Sequence, residues 1–358
     1  ERALEAILAR VVVSGGAIAL AYSGGLDSSL LLRLLADFRR RRKLPVLAFH
    51  VHHGLSPNAD EWLAHCAAQA ALAGVAFDAA RVTLTDVATH GVEQAARLAR
   101  YNALGELCRR HRVAALLTAH HQDDQAETML LQLFRGAGLR GLSGMPEADD
   151  AHVLLGPQVL LGRPLLDCRR HELAQAADEL GITPIVDESN ADVRYRRNAV
   201  RQAILPLVQQ HFPGATVAIA RSARHAQAVQ PLLDELAEMD LANCADQTNR
   251  EALCAERLAA LSPARADNLL RYWLAQRGAR RLPSEAQLTQ LRQQVCGAAH
   301  DAQPLLELGG LRLQRQAGLL IVSRLTAGEP PAGAIRLRWQ GESRIEVPPW
   351  RGTLVFEQ

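Results

Sequence analysis

Two short stretches carry residue types at spacings that could do chemistry: Ser23–Ser28 and His120–Glu127. In the first, an apolar run from Ala17 to Tyr22 breaks at Gly24-Gly25, and Asp27-Ser28-Ser29 lead into LLLRLLADF. That order predicts a buried strand, a glycine turn and an amphipathic helix. The glycines let backbone approach a ligand closely, and amides at a helix start face it with the positive end of the dipole. Ser23, Ser28 and Ser29 add hydroxyl donors, and Asp27 adds a carboxylate suited to Mg²⁺. With Gly24, Gly25 and Leu26 they form a candidate phosphate cradle. It is not a Walker A loop, because Leu26-Asp27 stand where that motif needs its lysine.

In the second stretch, a strand over Ala114–Thr118 runs into His120-His121-Gln122-Asp123-Asp124-Gln125-Ala126-Glu127. Asp123 and Glu127 fall four residues apart, on one face of the following helix. The pair suits an ammonium group or a metal. Zinc is disfavoured, since no cysteine is near and no HExxH occurs. A capped helix would explain one aspartate, but not the whole cluster. Around it lie further basic groups: Arg97 and Arg100 share a helix face with Glu93, and Arg135 and Arg140 sit in a loop with four glycines between residues 134 and 145. Arg194, Arg196, Arg197, Asn198 and Arg201, with Tyr195 among them, suit an RNA backbone and an unstacked base. The run Arg39–Lys43 reads as a solvated helix end whose charges suit the dipole.

Such groups need elements to position them. Helix Leu4–Val13, strand Ala17–Tyr22, helix Ser28–Arg40, strand VLAFHV, helix Asn58–Ala73, strand Val75–Val82, helix Val92–His111 and strand Ala114–Thr118 alternate with short turns. A strand Val153–Leu160 and a helix Arg169–Leu180 continue the pattern. This predicts an α/β fold with a doubly wound, Rossmann-like parallel sheet, which binds ligands at the carboxyl ends of its strands. Each motif falls at such an end or on the helix after it.

At 358 residues and 48% apolar content, the chain is long enough for two or three domains with real cores. No apolar run reaches a membrane span, and the first helix has no signal-peptide pattern. The absence of an initial methionine suggests a trimmed start. The six cysteines, with no CxxC pair, read as reduced thiols of a cytoplasmic protein. A net charge of +2 decides nothing about nucleic acid. Lys43 is the sole lysine, leaving 39 arginines. Its place at an exposed helix end argues against covalent lysyl-adenylate chemistry.

SGGLDS is similar to the loop in which N-type ATP pyrophosphatases hold pyrophosphate. SGGLDS, HVHHGLS, ARLARY, HHQDDQAET, RGAGLRGLSGM, RPLL and DESN…RRNAVR, in that order and spacing, resemble the bacterial tRNA(Ile)-lysidine synthetases over residues 17–212. The resemblance implies a two-step ligation. ATP adenylates C2-O of the wobble cytidine in tRNA(Ile) with anticodon CAU; the amine of free L-lysine then attacks C2 and displaces AMP. It also implies roles: Ser23–Ser28 for pyrophosphate, and Asp27 with Asp124 for Mg²⁺. Asp123 with Glu127 would take the lysine ammonium, with one of them or His120 as base. Arg100 and Arg135 would meet the α-phosphate, and Arg194, Arg196, Arg197, Asn198 and Arg201 the tRNA. No enzyme nucleophile is required, which suits the near absence of lysine.

Domains are expected at 1–212 (catalytic), 213–325 (mainly helical, arginine-tipped, tRNA-binding) and 326–358 (linker TAGEPPAG and a short β segment). The downstream helices are Pro213–Cys244, Glu251–Leu261, Pro263–Gln276 and Ser284–Cys296. The strands are Pro304–Leu308, Leu311–Gln314, Gly318–Ser323, Ile335–Trp339, Arg344–Val347 and Thr353–Phe356. The last domain of longer family members is not apparent. A homodimer is left open. The alternative function is a PP-loop tRNA thiolase, which would use cysteine pairs or an iron–sulfur cluster that Cys66, Cys108 and Cys168 do not suggest by spacing.

Overall fold

A computed structural model describes residues 2–12, 16–54, 56–84, 91–150, 152, 154–279, 282–296, 305–325, 344–347 and 352–355. The expected linker at 326–333, the strand Ile335–Trp339, Leu55 of HVHHGLS and Arg280-Arg281 lie outside them. Two compact units divide at residue 228.

In the first unit, α1 (Arg2–Val12) precedes β1 (Ala17–Ala21), α2 (Leu26–Arg42), β2 (Val46–His52), α3 (Ala59–Leu72), β3 (Ala76–Arg81), α4 (Val92–Arg110), β4 (Val113–Leu117) and α5 (Gln122–Leu133). The short helix α6 (Leu139–Leu142), β5 (Ala148–Asp149), β6 (Leu160–Gly162) and α7 (Arg170–Glu179) follow. The sheet order is β3-β2-β1-β4-β6-β5. All neighbours are parallel except the edge pair β5–β6. The strand expected over Val153–Leu160 is instead three residues at Leu160–Gly162, because Gly156 takes a φ of +97° in a turn ahead of it. β1 shows why the fold is doubly wound. Ile18 and Leu20 pack into one core with Leu30, Leu31 and Leu35 of α2, while Ala19 faces Tyr101, Leu104 and Leu107 of α4 in another. Side chains alternate faces along a strand, so one five-residue segment serves two layers of helices.

The strand order reverses between β1 and β4, which lie side by side with Leu20 opposite Leu117. This switch point brings together the loop after β1 and the loop after β4, some hundred residues apart in sequence. An open crevice forms at such a point because consecutive helices leave for opposite faces.

The stretch after α7 is built from α8 (Arg196–Ala199), a π-helical turn (Val200–Ile204) and α9 (Leu205–His211). The next helix, α10 (Ala215–Cys244), is continuous through Pro231.

In the second unit, β7 (Leu253–Cys254), α11 (Ala255–Ala259), α12 (Pro263–Gln276) and α13 (Glu285–Cys296) precede β8 (Leu305–Leu308), β9 (Leu311–Gln316) and β10 (Leu319–Arg324). These strands form an antiparallel sheet in the order β7-β10-β9-β8 around a core centred on Trp273. The helix expected over Glu251–Leu261 is therefore shorter. Leu253 and Cys254 pair with Leu320 and Leu319, and the helix starts only after that edge is made. β11 (Arg344–Val347) pairs with β12 (Gly352–Val355). Among the described residues no helix is long and apolar enough to cross a membrane.

Candidate active site

The loop after β1 is shaped by two glycines. Gly24 has φ +81°, and a Cβ there would lie 2.3 Å from Ile185 Cδ1 and 2.9 Å from Cys66 Sγ. Both backbone conformation and space therefore require glycine. The Gly24 carbonyl accepts from the Ile185 amide at 2.9 Å and the Ser29 hydroxyl at 3.1 Å. Ser28 Oγ donates to the Gly25 carbonyl at 3.0 Å and lies 3.0 Å from Ser23 Oγ. The hydroxyls thus brace the turn from within. No side chain caps the start of α2 at Gly25, so the amides of its first turn, from Leu26 on, keep their donors for a ligand.

Asp27 stands in that first turn. Its Oδ1 is buried without a hydrogen-bond partner, while Oδ2 lies 3.7 Å from His121 Nε2. Burial, with the neighbouring Asp124 charge, pushes its carboxyl above the ordinary value, while His121, Arg170 and Arg201 oppose the rise. A buried carboxylate oxygen with no partner is costly unless a cation or donor completes it.

Across the crevice, His121 is the N-cap of α5. Its backbone N–H donates to Asp124 Oδ2 at 3.0 Å, and Asp124 N–H donates to His121 Nδ1 at 3.4 Å. His121 Nε2 faces Asp27 Oδ2 and, at 3.5 Å, Asp124 Oδ2. His121 is almost fully buried and bridges the two motifs. The sequence reading places His120 in the site and leaves His121 out. His120 instead bonds Thr118 Oγ1 at 2.8 Å. Burial, reinforced by Arg197, Arg163 and Arg100 against the pull of Asp124, drives its pKa down to about 3. It is a neutral ring at physiological pH and a weak base.

The acidic pair also differs from expectation. Glu127, only 1% exposed, does not open toward an incoming ammonium. Arg197 Nε bonds Glu127 Oε2 at 2.8 Å, and Arg201 Nε bonds Glu127 Oε1 at 2.6 Å. Both guanidinium groups also reach Asp124 Oδ1, at 3.1 and 3.0 Å. Two carboxylates and two arginines thus form a closed network. Burial raises the Asp124 pKa, but the charges of His121 and Arg197 overcome it and bring the group to about 2. Asp123 faces elsewhere: its Oδ2 accepts from the Arg170 amide at 3.0 Å, and the side chain stays partly exposed.

Arg197 and Arg201, expected on the tRNA, therefore turn inward. A spacing of four residues and the π turn at Val200–Ile204 put both on one face against α5. Asn198 is buried and donates to the Asp192 carbonyl at 2.9 Å. Arg194 is fully outward and pairs with Asp192 at 2.7 Å, and Arg196 is exposed. Arg100 lies with Arg97 over the Tyr101 ring, at 5.6 and 5.0 Å. Arg135 is exposed on the glycine loop after α5. Arg163, absent from the sequence-derived site, is 4% exposed and donates to the Pro146 carbonyl at 2.6 Å. Its only signal in sequence is the RPLL motif directly after β6. Among the described residues no group of three or more ligating side chains could hold a metal by itself.

A phosphate-binding loop after β1, facing a charged helix start after β4 in a doubly wound sheet, defines an ATP-using PP-loop enzyme. The PP-loop domain family matches residues 1–208, and the TilS substrate binding domain family matches residues 253–320. The tRNA(Ile)-lysidine synthase of Burkholderia pseudomallei is 42% identical over 368 residues, covering 95% of this chain and 73% of that protein. The enzyme of the same description from Ralstonia nicotianae is 42% identical over 364 residues, covering 97% and 75%. The chain belongs to the tRNA(Ile)-lysidine synthase family.

Proposed function

We propose that this chain ligates the amine of free L-lysine to C2 of the wobble cytidine in tRNA(Ile) with anticodon CAU, in the cytoplasm, using ATP. The observation that carries the reading is the juxtaposition of an uncapped α2 start and the unpartnered Asp27 Oδ1 with the His121–Arg201 charge network. In the first step the cytidine carbonyl oxygen attacks the α-phosphorus and pyrophosphate leaves. The α2 amides and the Ser23 and Ser28 hydroxyls bind the leaving group and its developing charge. In the second step the lysine amine attacks C2, loses a proton, and AMP departs with the carbonyl oxygen.

Mg²⁺ fits one carboxylate here. Mg²⁺ is usually held by one or two carboxylates plus phosphate oxygens and water, and Asp27 offers an open buried oxygen. Asp124, expected beside it, already accepts from two arginines and the His121 amide. When bound, the ion would neutralise phosphate charge.

The closed network gives the arginines a second task. ATP brings negative charge into the crevice, where Arg170 and Arg201 act on Asp27 and Arg197 lies against Asp124. As the guanidinium groups turn to phosphate, Glu127 and Asp124 lose their partners and regain the capacity to hold an ammonium, with Asp123 beside them. Asp123 or Glu127 then accepts the proton of the attacking amine, since His120 is too weak a base.

We assign 1–212 to catalysis and 213–325 to holding tRNA, with Arg194, Arg196 and Arg135 meeting its backbone near the reacting base. The thiolase alternative has no support in Cys66 and Cys108, whose thiols burial pushes up to about 12, far from a thiolate at neutral pH.

The test is mass spectrometry of the anticodon after incubation with ATP, lysine and tRNA(Ile). The expected product is a cytidine heavier by one lysine less one water. A sulfur-dependent product, or AMP release independent of lysine and tRNA, would overturn the reading.

A further inference from the structure

The stretch Thr128–Pro146, which follows the acidic turn of α5, reads TMLLQLFRGAGLRGLSGMP: two arginines and no acidic residue. It leaves apolar side chains in water. Leu133 is 52% exposed, Phe134 60% and Leu139 37%, and Arg135 and Arg140 are exposed among them. Apolar groups gathered on a surface in this way mark an interaction site.

The stretch is anchored at both ends. Phe134 closes α5, its amide donating to the Leu130 carbonyl at 2.9 Å. At the far end, Gln125 of α5 exchanges two hydrogen bonds with Met145, donating from Nε2 to its carbonyl at 2.9 Å and accepting from its amide at 2.7 Å. Gln227 Nε2 donates to the carbonyls of Ser143 at 2.6 Å and Met145 at 2.8 Å. Arg163 Nη1 holds the Pro146 carbonyl. Between the anchors, nothing lies within 4 Å of where a Cβ would stand on Gly136 or Gly138, so the turn after the ring is open.

We propose that Phe134 is a stacking platform for one unpaired base of the tRNA anticodon loop, with Arg135 on the adjoining phosphate. The inference rests on the tRNA(Ile) reading given above and adds the residue that fixes the register of the loop.

A single-stranded RNA loop is a polyanion with apolar faces. Its unstacked bases lie on aromatic side chains while arginines meet the phosphates. An acidic peptide would answer the arginines and leave the ring in water; a nucleotide answers both. The reach agrees as well. The 12 residues of α5, at about 1.5 Å each, put the ring about 18 Å from Gln122, or about five stacked nucleotides at about 3.4 Å. That is within one hairpin loop, so the ring can hold a base a few positions from the one that reacts.

Phe212 supplies the contrast. It is 69% exposed, yet no arginine or lysine occurs between residues 204 and 220. A ring without neighbouring cations offers RNA phosphates nothing.

The test compares wild type with Phe134→Leu, Phe134→Trp and Phe212→Leu in filter binding of tRNA(Ile) and in lysine-dependent AMP release. Phe134→Leu keeps apolar bulk and removes the ring. It should weaken tRNA binding about tenfold, with the larger part of the kinetic loss in the KM for tRNA rather than in kcat. Phe134→Trp should return binding to within about threefold of wild type, and Phe212→Leu should stay within about twofold. A set of tRNAs with single abasic nucleotides through the anticodon loop identifies the partner. One position should cost wild type about tenfold and cost Phe134→Leu nothing further. Unchanged binding by Phe134→Leu, equal losses in both Phe134 variants, or the same abasic penalty in wild type and Phe134→Leu would overturn the platform. A wild-type dimer in sedimentation that Phe134→Leu dissociates, with tRNA affinity kept, would overturn it in favour of a second copy of the chain. Wild type that neither binds nor modifies tRNA(Ile) would remove the functional reading and the platform together; wild type that does both, matched by Phe134→Leu, would remove the platform alone.

Discussion

The two halves of the crevice are built on opposite electrostatic plans. The loop after β1 uses backbone amides, glycine and hydroxyls, and leaves Asp27 Oδ1 without a partner. The start of α5 is saturated: Asp124 and Glu127 are matched by Arg197 and Arg201 through five hydrogen bonds. A phosphate can enter the first half without breaking anything. An ammonium can enter the second only if something first removes an arginine. On the proposed function, this difference would make binding of a phosphate anion and an amine interdependent, because both would draw on the same two guanidinium groups.

The largest effect is expected at the open half. Asp27→Asn should lower AMP release from ATP and tRNA about 10²–10³-fold, with tRNA affinity within about twofold, as filter binding would measure. Turnover close to wild type would place the cation elsewhere.

The closed half predicts a stability effect first. Glu127→Gln leaves two half-buried arginines facing one carboxylate and should cost about 2–4 kcal/mol in urea unfolding. Combining it with Arg197→Gln should return part of that loss, with a coupling of about 1–3 kcal/mol in the double-mutant cycle. Additive effects would mean that the four groups do not act as a network.

Interdependence itself is measured by calorimetry. A non-hydrolysable ATP analogue should tighten lysine binding about tenfold, and lysine should tighten the analogue by the same factor. In Arg197→Gln/Arg201→Gln the factor should shrink toward one, while lysine alone binds more tightly than to wild type. Equal lysine affinity with and without the analogue in wild type would break the comparison.

The pH dependence belongs to the fold rather than to the crevice. His120 and His53 have pKa values lowered by burial to about 3 and about 4, against about 6.5 in an unfolded chain. Between those limits the unfolded chain binds more protons, so stability falls as pH drops below about 6.5. Each ring contributes at most about 1.4 kcal/mol per pH unit. Asp124, held at about 2, adds a further loss only below about pH 4. His120→Asn should flatten the decline of the urea midpoint between pH 6 and 4, leaving the loss below pH 4 in place.

Much of this was legible in the residues themselves. SGGLDS predicted a glycine turn into a helix because glycine at a strand end and hydroxyls at a helix start are local devices, and Gly24 takes a positive φ. The β-α alternation was equally readable, since a period of two switching to 3.6 needs no tertiary information. Partners were harder. His121 and His120 are adjacent, and only the capping geometry decides which one turns toward Asp27. Arg197 and Arg201 looked like an RNA-binding surface because an arginine cluster reads the same whether it faces solvent or a buried glutamate. The strand at Leu253–Cys254 was missed because its pairing residues, Leu319 and Leu320, lie more than sixty positions away.

By itself, then, the sequence determined the chemical groups, the loop that cradles phosphate and the family to which the chain belongs, since each rests on residue identity at short spacing. The tertiary structure decided which charges meet. β1 and β4 become neighbours at the point where strand order reverses, and that adjacency, invisible along the chain, sets Asp27 against His121. It also lets a π turn swing two arginines into the acidic helix start, where they close Asp124 and Glu127 into one charge network.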